Sequence, residues 1–433
     1  MSYRGPTTYV LYRLRASFWF VPGTMAVVAF AAAALSLWAD GAGVSELLKP
    51  LGAPFSIEKD TARDLLSTLA GATVTVVSLV FSLTLVTLTV AAGNLGARLL
   101  ERYMQNRVTQ VTMGLFVGTF VYTVVVLSAV GTGPVEVPRL SVVTALVMSI
   151  FSVGWLMYAF HDLARSLQVD QAAAEIGAAL RRDISVAAAR AREIGAAGGD
   201  DLPTGGPQCI VDSRAIGYVE SIDWQMLGAV AKEHDLMLDV TIAQGAYVTP
   251  VDPIATVFGR DRADDALCRQ IREAVILGSV RTEADDLMFL LHLLVEIASR
   301  ALSPGINDLY TALACVDHVT GSLAQALEDG LERVAVRGDD GRLLVRTRSA
   351  DVSRMVSTAL STLRRNGMHN STFALRLIRN IERLAPLARR HSTAPVFLEH
   401  LDRIADHAAA NVPQVDRDAI DAAADRAREA FRL

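Results

Sequence analysis

Apolar residues fall into four long runs early in the chain and into shorter periodic clusters after it. The runs cover about 18–38, 65–97, 108–132 and 140–160. Each meets or exceeds the roughly 17–25 residues that a membrane-spanning helix requires. Pro22 near the start of the first run and Thr61 followed by Asp64 before the second are helix-start signals. Gly131, Gly133, Pro134 and Pro138 predict a tight turn between the third and fourth. Leu99, Leu100, Tyr103 and Met104 extend the second helix, and Leu163, Leu167, Ala174 and Ala178 carry the fourth on as one helix to about Arg192. The first run is too long for the h-region of a secretory signal and is followed by further spans, so it reads as a retained helix.

The flanking charges orient these spans. Arg4, Arg13 and Arg15 precede the first, and Arg98, Arg102 and Arg107 lie between the second and third against Glu101 alone. The first connection is acid-rich, with Asp40, Glu46, Glu58, Asp60 and Asp64. Positive residues stay on the cytoplasmic side, so both termini are expected there, with a lipid bilayer, the inner membrane, as the chain's first partner. No Asp, Glu, Lys or Arg is expected deep in a span, which argues against a proton pump or a voltage sensor.

The second run has no charge between Asp64 and Arg98 but many hydroxyls. Gly71, Thr75, Ser78, Ser82, Thr89 and Gly93 recur at offsets of three, four or seven, which fall on one helix face. That face is a candidate pore lining (Thr75, Ser78, Ser82, Thr89), with Arg98 and Arg102 as a basic inner mouth. The competing reading is close helix packing, with each hydroxyl bonded to its own helix. Thr73, Thr84 and Thr87 lie off the stripe, and Gly114 with Gly118 forms a GxxxG helix-contact signal in the third span.

Beyond residue 165 charged residues are regular and the chain reads as globular. Residues 166–207 predict a cytosolic helix and a Gly/Pro-rich linker, and 208–262 a small β-rich unit. Within it, strands are expected at 217–222, 237–242 and 247–258, with a helix at 224–233 and a positive φ at Gly245. Residues 263–433 read as mostly helical, with a hairpin turn at Asp339-Asp340-Gly341 and a helix from Ser371 stopping before Pro386. The fold class is mainly α: a four-helix transmembrane domain, then a cytoplasmic α+β region built of the small β-rich unit and a helical bundle.

Two sets of residues in this half are candidates for chemistry. Arg300, Ser303, Asn307 and Asp308 punctuate a turn whose Asn or Asp can cap the next helix, and they are candidate contacts for a ligand or partner. His292 and Glu296 stand i and i+4, a weak metal-pair spacing. No phosphate-loop or dinucleotide glycine motif occurs.

Composition adds little. The 433 residues carry a net charge of −5, which gives no electrostatic case for nucleic acid as a partner. Cys209, Cys268 and Cys315 are too scattered for a zinc site or a disulfide framework, and no cofactor is implied.

Residues 17–22 (Ser-Phe-Trp-Phe-Val-Pro), the Thr/Ser pattern of 67–99, Arg107-Val-Thr-Gln110, Gly217-Tyr218 and Arg300-Ala-Leu-Ser-Pro-Gly-Ile-Asn-Asp308 together resemble a bacterial family of predicted membrane proteins, domain-of-unknown-function family 2254. Leu309 stands where members of that family carry proline. The resemblance implies four spans and a cytoplasmic domain and no particular activity. The leading expectation is a homo-oligomeric channel or passive transport protein gated by its cytoplasmic domain. The alternative is a non-catalytic membrane-anchored sensor or scaffold. A membrane-associated enzyme using His292, Glu296 and Asp308 ranks third.

Overall fold

A computed structural model describes residues 18–44, 58–95, 106–132, 135–166, 168–194, 208–260, 262–281, 286–331, 335–347, 351–391 and 393–432. The chain divides into two compact units, Met1–Gln168 and Val169–Leu433.

The first unit holds α1 (Phe20–Gly41), α2 (Lys59–Leu95), α3 (Arg107–Ala129) and α4 (Arg139–Ser166). All four are long and apolar enough to cross a membrane. At 1.5 Å per residue even α1 matches a hydrocarbon core of about 30 Å. The central helix is α3, which packs against the other three. It does so through its small residues: a Cβ added at Gly118 would meet Ala29 Cβ at 3.3 Å and the Met25 carbonyl oxygen at 3.4 Å. The GxxxG signal therefore has its partner inside the chain, on α1. Ala29, Ala33, Leu66, Tyr122, Val126, Val142 and Ala145 close this core. The outer faces of α1 and α4 expose Val27, Phe30, Trp38, Ile150, Phe151 and Met157, the side-chain types that suit lipid.

Two expected features differ. The helix expected to run unbroken through residue 167 ends at Ser166, and α5 (Val169–Ile194) starts anew. Within α5 the buried positions are Ala173, Ile176, Leu180, Ile184 and Ala188, while Ala178, on the expected stripe, is exposed. Asp40, assigned above to a connection, belongs to the last turn of α1 and is buried. The expected extension of the second helix past Arg98, the Gly133-Pro134 part of the turn and the linker at 195–207 lie outside the described residues.

The second unit continues from α5 with β1 (Gln208–Asp212), β2 (Gly217–Ile222), α6 (Trp224–Glu233), β3 (Met237–Val240), β4 (Tyr247–Val248), β5 (Pro253–Phe258), α7 (Asp265–Glu273) and β6 (Val275–Gly278). Then follow α8 (Leu287–Ala301), α9 (Leu309–Glu328), β7 (Ala335–Arg337), β8 (Leu343–Thr347), α10 (Val352–Gly367), α11 (Ser371–Ala388), α12 (Ala394–Asn411) and α13 (Gln414–Arg432). The strands form a five-stranded sheet, β1-β5-β3-β8-β7, and a three-stranded one, β4-β2-β6. Leu227, Val230, Leu238, Val240, Ile254, Val257, Leu267 and Val345 share their core. The sheets thus draw β6, β7 and β8 from beyond residue 262. A buried ion pair, Arg346 Nε to Asp239 Oδ1 at 3.1 Å, joins the parallel partners β3 and β8 in register. Gly245 has φ +77°, as expected at its turn, and a Cβ there would strike the Asp286 carboxylate.

The remaining helices form a bundle in which α5 packs on α8 and α9. Helix α11 passes through Pro386 to Ala388 instead of stopping before it. Pro386 removes only one donor in the last turn and sits on the exposed side, where water can serve the carbonyl that loses its partner.

Candidate functional site

The hydroxyls of α2 resolve into two sets. Leu66, Thr73, Val80 and Thr87 are buried. Gly71, Thr75, Ser78, Ser82, Thr89 and Gly93 are exposed, and at 100° per residue they cluster half a turn away from the buried set. The four candidate pore residues therefore share one arc, pointing away from the unit's own core. Val74, Phe81 and Leu85 flank the arc on one side, and Leu79, Val86 and Val90 on the other. Arg98 and Arg102 lie outside the described residues.

Back-bonding to the helix explains how an apolar span keeps so many threonines. Thr75 Oγ1 donates to the Gly71 carbonyl at 3.0 Å and Thr89 Oγ1 to Leu85 at 2.9 Å. Thr68, Thr73, Thr84 and Thr87 make the same bond to the residue four before them. With its proton turned inward, an exposed threonine oxygen presents lone pairs outward.

A second polar array, hidden between α1, α3 and α4, is not legible from any single span. Asp40 of α1 accepts from the Leu140 and Ser141 amides at 3.0 Å each and from Ser141 Oγ at 2.8 Å. These amides open α4, and Pro138, just before it, offers no side-chain acceptor, so Asp40 caps a helix other than its own. Ser36 Oγ bonds Tyr122 Oη at 2.8 Å. Further along, Thr119 Oγ1 meets Ser152 Oγ at 3.0 Å, Trp155 Nε1 donates to Thr112 Oγ1 at 3.0 Å, and Asn106 Nδ2 donates to Asp162 Oδ2 at 3.3 Å. On α3 the offset of seven between Thr112 and Thr119 places them on one face, but nothing in that span names their partners on α4.

In the second unit the 300–308 segment folds into a turn bonded to itself. The Arg300 carbonyl accepts from Ser303 N at 3.0 Å and Ser303 Oγ at 2.6 Å. The Ser303 carbonyl accepts from Asn307 N at 2.9 Å, and Asp308 N donates to Ala301 at 2.8 Å. Asn307 takes φ +50°, a conformation asparagine tolerates better than most residues. Asp308 then caps α9, accepting from Thr311 N at 3.2 Å and Thr311 Oγ1 at 2.6 Å. Thr311 Oγ1 also lies 3.4 Å from Asp170 Oδ1 of α5. Burial, then the nearby Asp170 and Asp308 charges, push the Cys315 thiol up to about 12, so it stays protonated and unreactive. Ser303, Asn307 and Asp308 are brought together as one junction of α8, α9 and α5.

His292 and Glu296 share a face of α8, but His292 Nδ1 lies 3.1 Å from Arg281 Nη1. Arg281 also donates from Nε to the buried Asp286 at 2.7 Å and stacks over Phe289. A guanidinium against the imidazole opposes a second cation there. Among the described residues no group of three or more His, Cys, Asp or Glu side chains is placed to hold a metal ion.

Comparison with known proteins adds a family. A family profile described as "Predicted membrane protein (DUF2254)" matches residues 15–383. An uncharacterized protein of Mycobacterium bovis and one of Mycobacterium tuberculosis strain H37Rv are each 28% identical over 286 residues, covering 63% of this chain and 54% of theirs. A third, from the Oshkosh strain of M. tuberculosis, is 29% identical over 288 residues, with the same coverage. The chain spans about half the length of these curated relatives. No solved structure matches it.

Proposed function

From the premise that the chain belongs to the DUF2254 family of predicted membrane proteins, we propose that it is a homo-oligomeric channel or passive transport protein of the bacterial inner membrane. Copies of α2 would meet around a central path, and the second unit, in the cytoplasm, would control its opening. One observation carries this reading: the small, hydroxylated arc of α2 is turned away from its own core and is bordered by large apolar side chains. Small residues let helix backbones approach one another, and hydroxyls supply the polar contacts that a hydrated path needs. The arginines that precede the first span and follow the second favour cytoplasmic termini.

The expected signature is conductance in planar bilayers from the purified protein, altered by Ser78→Leu and by Ser82→Leu. Reversal potentials in KCl gradients test selectivity, since outward lone pairs favour cations and the Arg98 and Arg102 mouth favours anions. A monomeric mass in detergent together with no current under any ion gradient would sink the proposal.

One feature favours the sensor or scaffold reading instead. On either side of the left-handed Asn307, Ile306 in the turn and Tyr310 in the first turn of α9 are 48% and 81% exposed, large side chains available for a protein contact. Partners in native-membrane pull-downs that are lost on Tyr310→Ala, with the α2 substitutions silent, would support that role.

A further inference from the structure

The second unit contains a groove of about 500 Å³ lined by Arg379, Glu382, Arg383, Pro386 and Arg389 of the α11 region and Ala430 of α13. This volume lies within the range of small-molecule sites, about 300–1,000 Å³. Its three arginines are exposed, and among the described residues none of them has an ion-pair partner. Two other arginines of these helices are paired. Arg376, one turn earlier on α11, reaches Asp317 at 3.3 Å, and Arg428 of α13 holds both Asp402 at 2.7 Å and Asp425 at 2.8 Å. Of the four charged side chains that line the groove, three are arginines and one, Glu382, is a carboxylate, so its lining is net positive.

A net positive concavity attracts an anion, most strongly at low salt. Their forked donors match phosphate oxygens, with two N–H groups meeting two oxygens. Acceptors are present beside them. Glu382 is the only carboxylate among the lining residues. Pro386 has no N–H to give the Glu382 carbonyl, so that oxygen also lacks its usual helical donor. Phosphate would take the arginines, and a hydroxyl-bearing group would take Glu382. From Arg379 to Arg389 the helix rises about 15 Å, comparable to the length of a nucleoside diphosphate.

We propose that the groove between α11 and α13 is a binding site for a soluble nucleoside diphosphate, its phosphates held by Arg379, Arg383 and Arg389 and its sugar hydroxyls by Glu382. The site stands independently of the conduction path proposed above.

The test is calorimetric titration of the full chain in detergent with ADP, pyrophosphate and, as a lipid phosphate, dihexanoyl phosphatidic acid. ADP is expected to bind with micromolar affinity and pyrophosphate about tenfold more weakly, both weakening as salt rises. Arg379→Gln combined with Arg383→Gln should lower ADP affinity about 100-fold, these side chains being exposed and their loss leaving the melting temperature in place. Glu382→Gln should narrow the preference for ADP over pyrophosphate, and Arg354→Gln on α10 should change nothing. No ADP binding, equal ADP affinity in the double variant, or tighter binding of the lipid phosphate than of ADP would overturn the assignment.

Discussion

Gly118 of α3 and Ala29 of α1 face each other so closely that a single added methyl on the glycine would stand 3.3 Å from the alanine's own. The Met25 carbonyl oxygen, at 3.4 Å from the same point, closes the contact from the backbone side. Neither wall can swing away, because one is a Cβ and the other is main chain.

Gly118→Val should therefore separate α1 from α3 and destabilise the first unit by about 1–3 kcal/mol, the usual cost of overpacking. Thermal unfolding in detergent measures this, with Gly154→Ala as the tolerated comparison, since nothing lies within 4 Å of a Cβ at Gly154. Equal melting temperatures for the two variants would show that the helices separate without loss.

Asp40→Ala removes the acceptor of two amides and a hydroxyl at the start of α4. Buried donors left unpaired cost about 1–3 kcal/mol, and the loss of a helix cap about 1 kcal/mol. Asp40→Asn keeps one acceptor oxygen of the two and should lie between wild type and alanine. The order Asp, Asn, Ala in melting temperature is the check; an alanine variant as stable as wild type would refute the capping role.

Local structure in this chain is written locally, and its long-range pairings are not. The strand at 217–222, the helix at 224–233 and the positive φ of Gly245 follow from short patterns and are found at those positions. Asp308 caps its helix as an Asp before an apolar run should. By contrast, β3 pairs in parallel with β8, about a hundred residues further on, and no local signal announces such a partner. The apolar residues that would carry the fourth span past residue 167 keep helical spacing across a break that only the backbone reveals. The Asp40, Ser36, Tyr122 and Ser141 network assembles from three helices, so each residue looks like an isolated polar group in the sequence. The groove arginines read as an ordinary charged helix face until the packing of α13 makes that face concave.

The Asp239–Arg346 pair should be costly to break and cheap to replace. Both side chains are nearly buried, at 8% and 11% exposure. Arg346→Met alone would leave Asp239 charged without a partner, at about 3–5 kcal/mol. Arg346→Met with Asp239→Leu removes both charges, and the sum is expected near neutral. Denaturant melts of the two singles and the double give the coupling; additive losses would mean that the pair contributes no mutual stabilisation.

His400 of α12 is 3% exposed, and burial holds its pKa below the ordinary 6.5, with Arg403 and Arg364 acting in the same direction and Glu399 against them. Among the described residues its Nδ1 has no hydrogen-bond partner. Below about pH 6.5 the unfolded chain binds a proton at this position before the folded chain does. The stability tied to the neutral ring is therefore fully present above that pH and is lost as pH falls toward the lower folded value. His318, also lowered chiefly by burial, adds to the same window. Asp329, lowered by its bonds to Ser185 and Gln325, acts only in a more acid window, below its ordinary 3.8. Melting temperature should drop between pH 7.5 and 5.5 in the wild type and drop less in His400→Gln, which cannot take up the proton. Since the variant also loses packing, the informative quantity is the slope against pH and not the absolute value. Parallel pH slopes for the two proteins would exclude His400 as a source of the acid sensitivity.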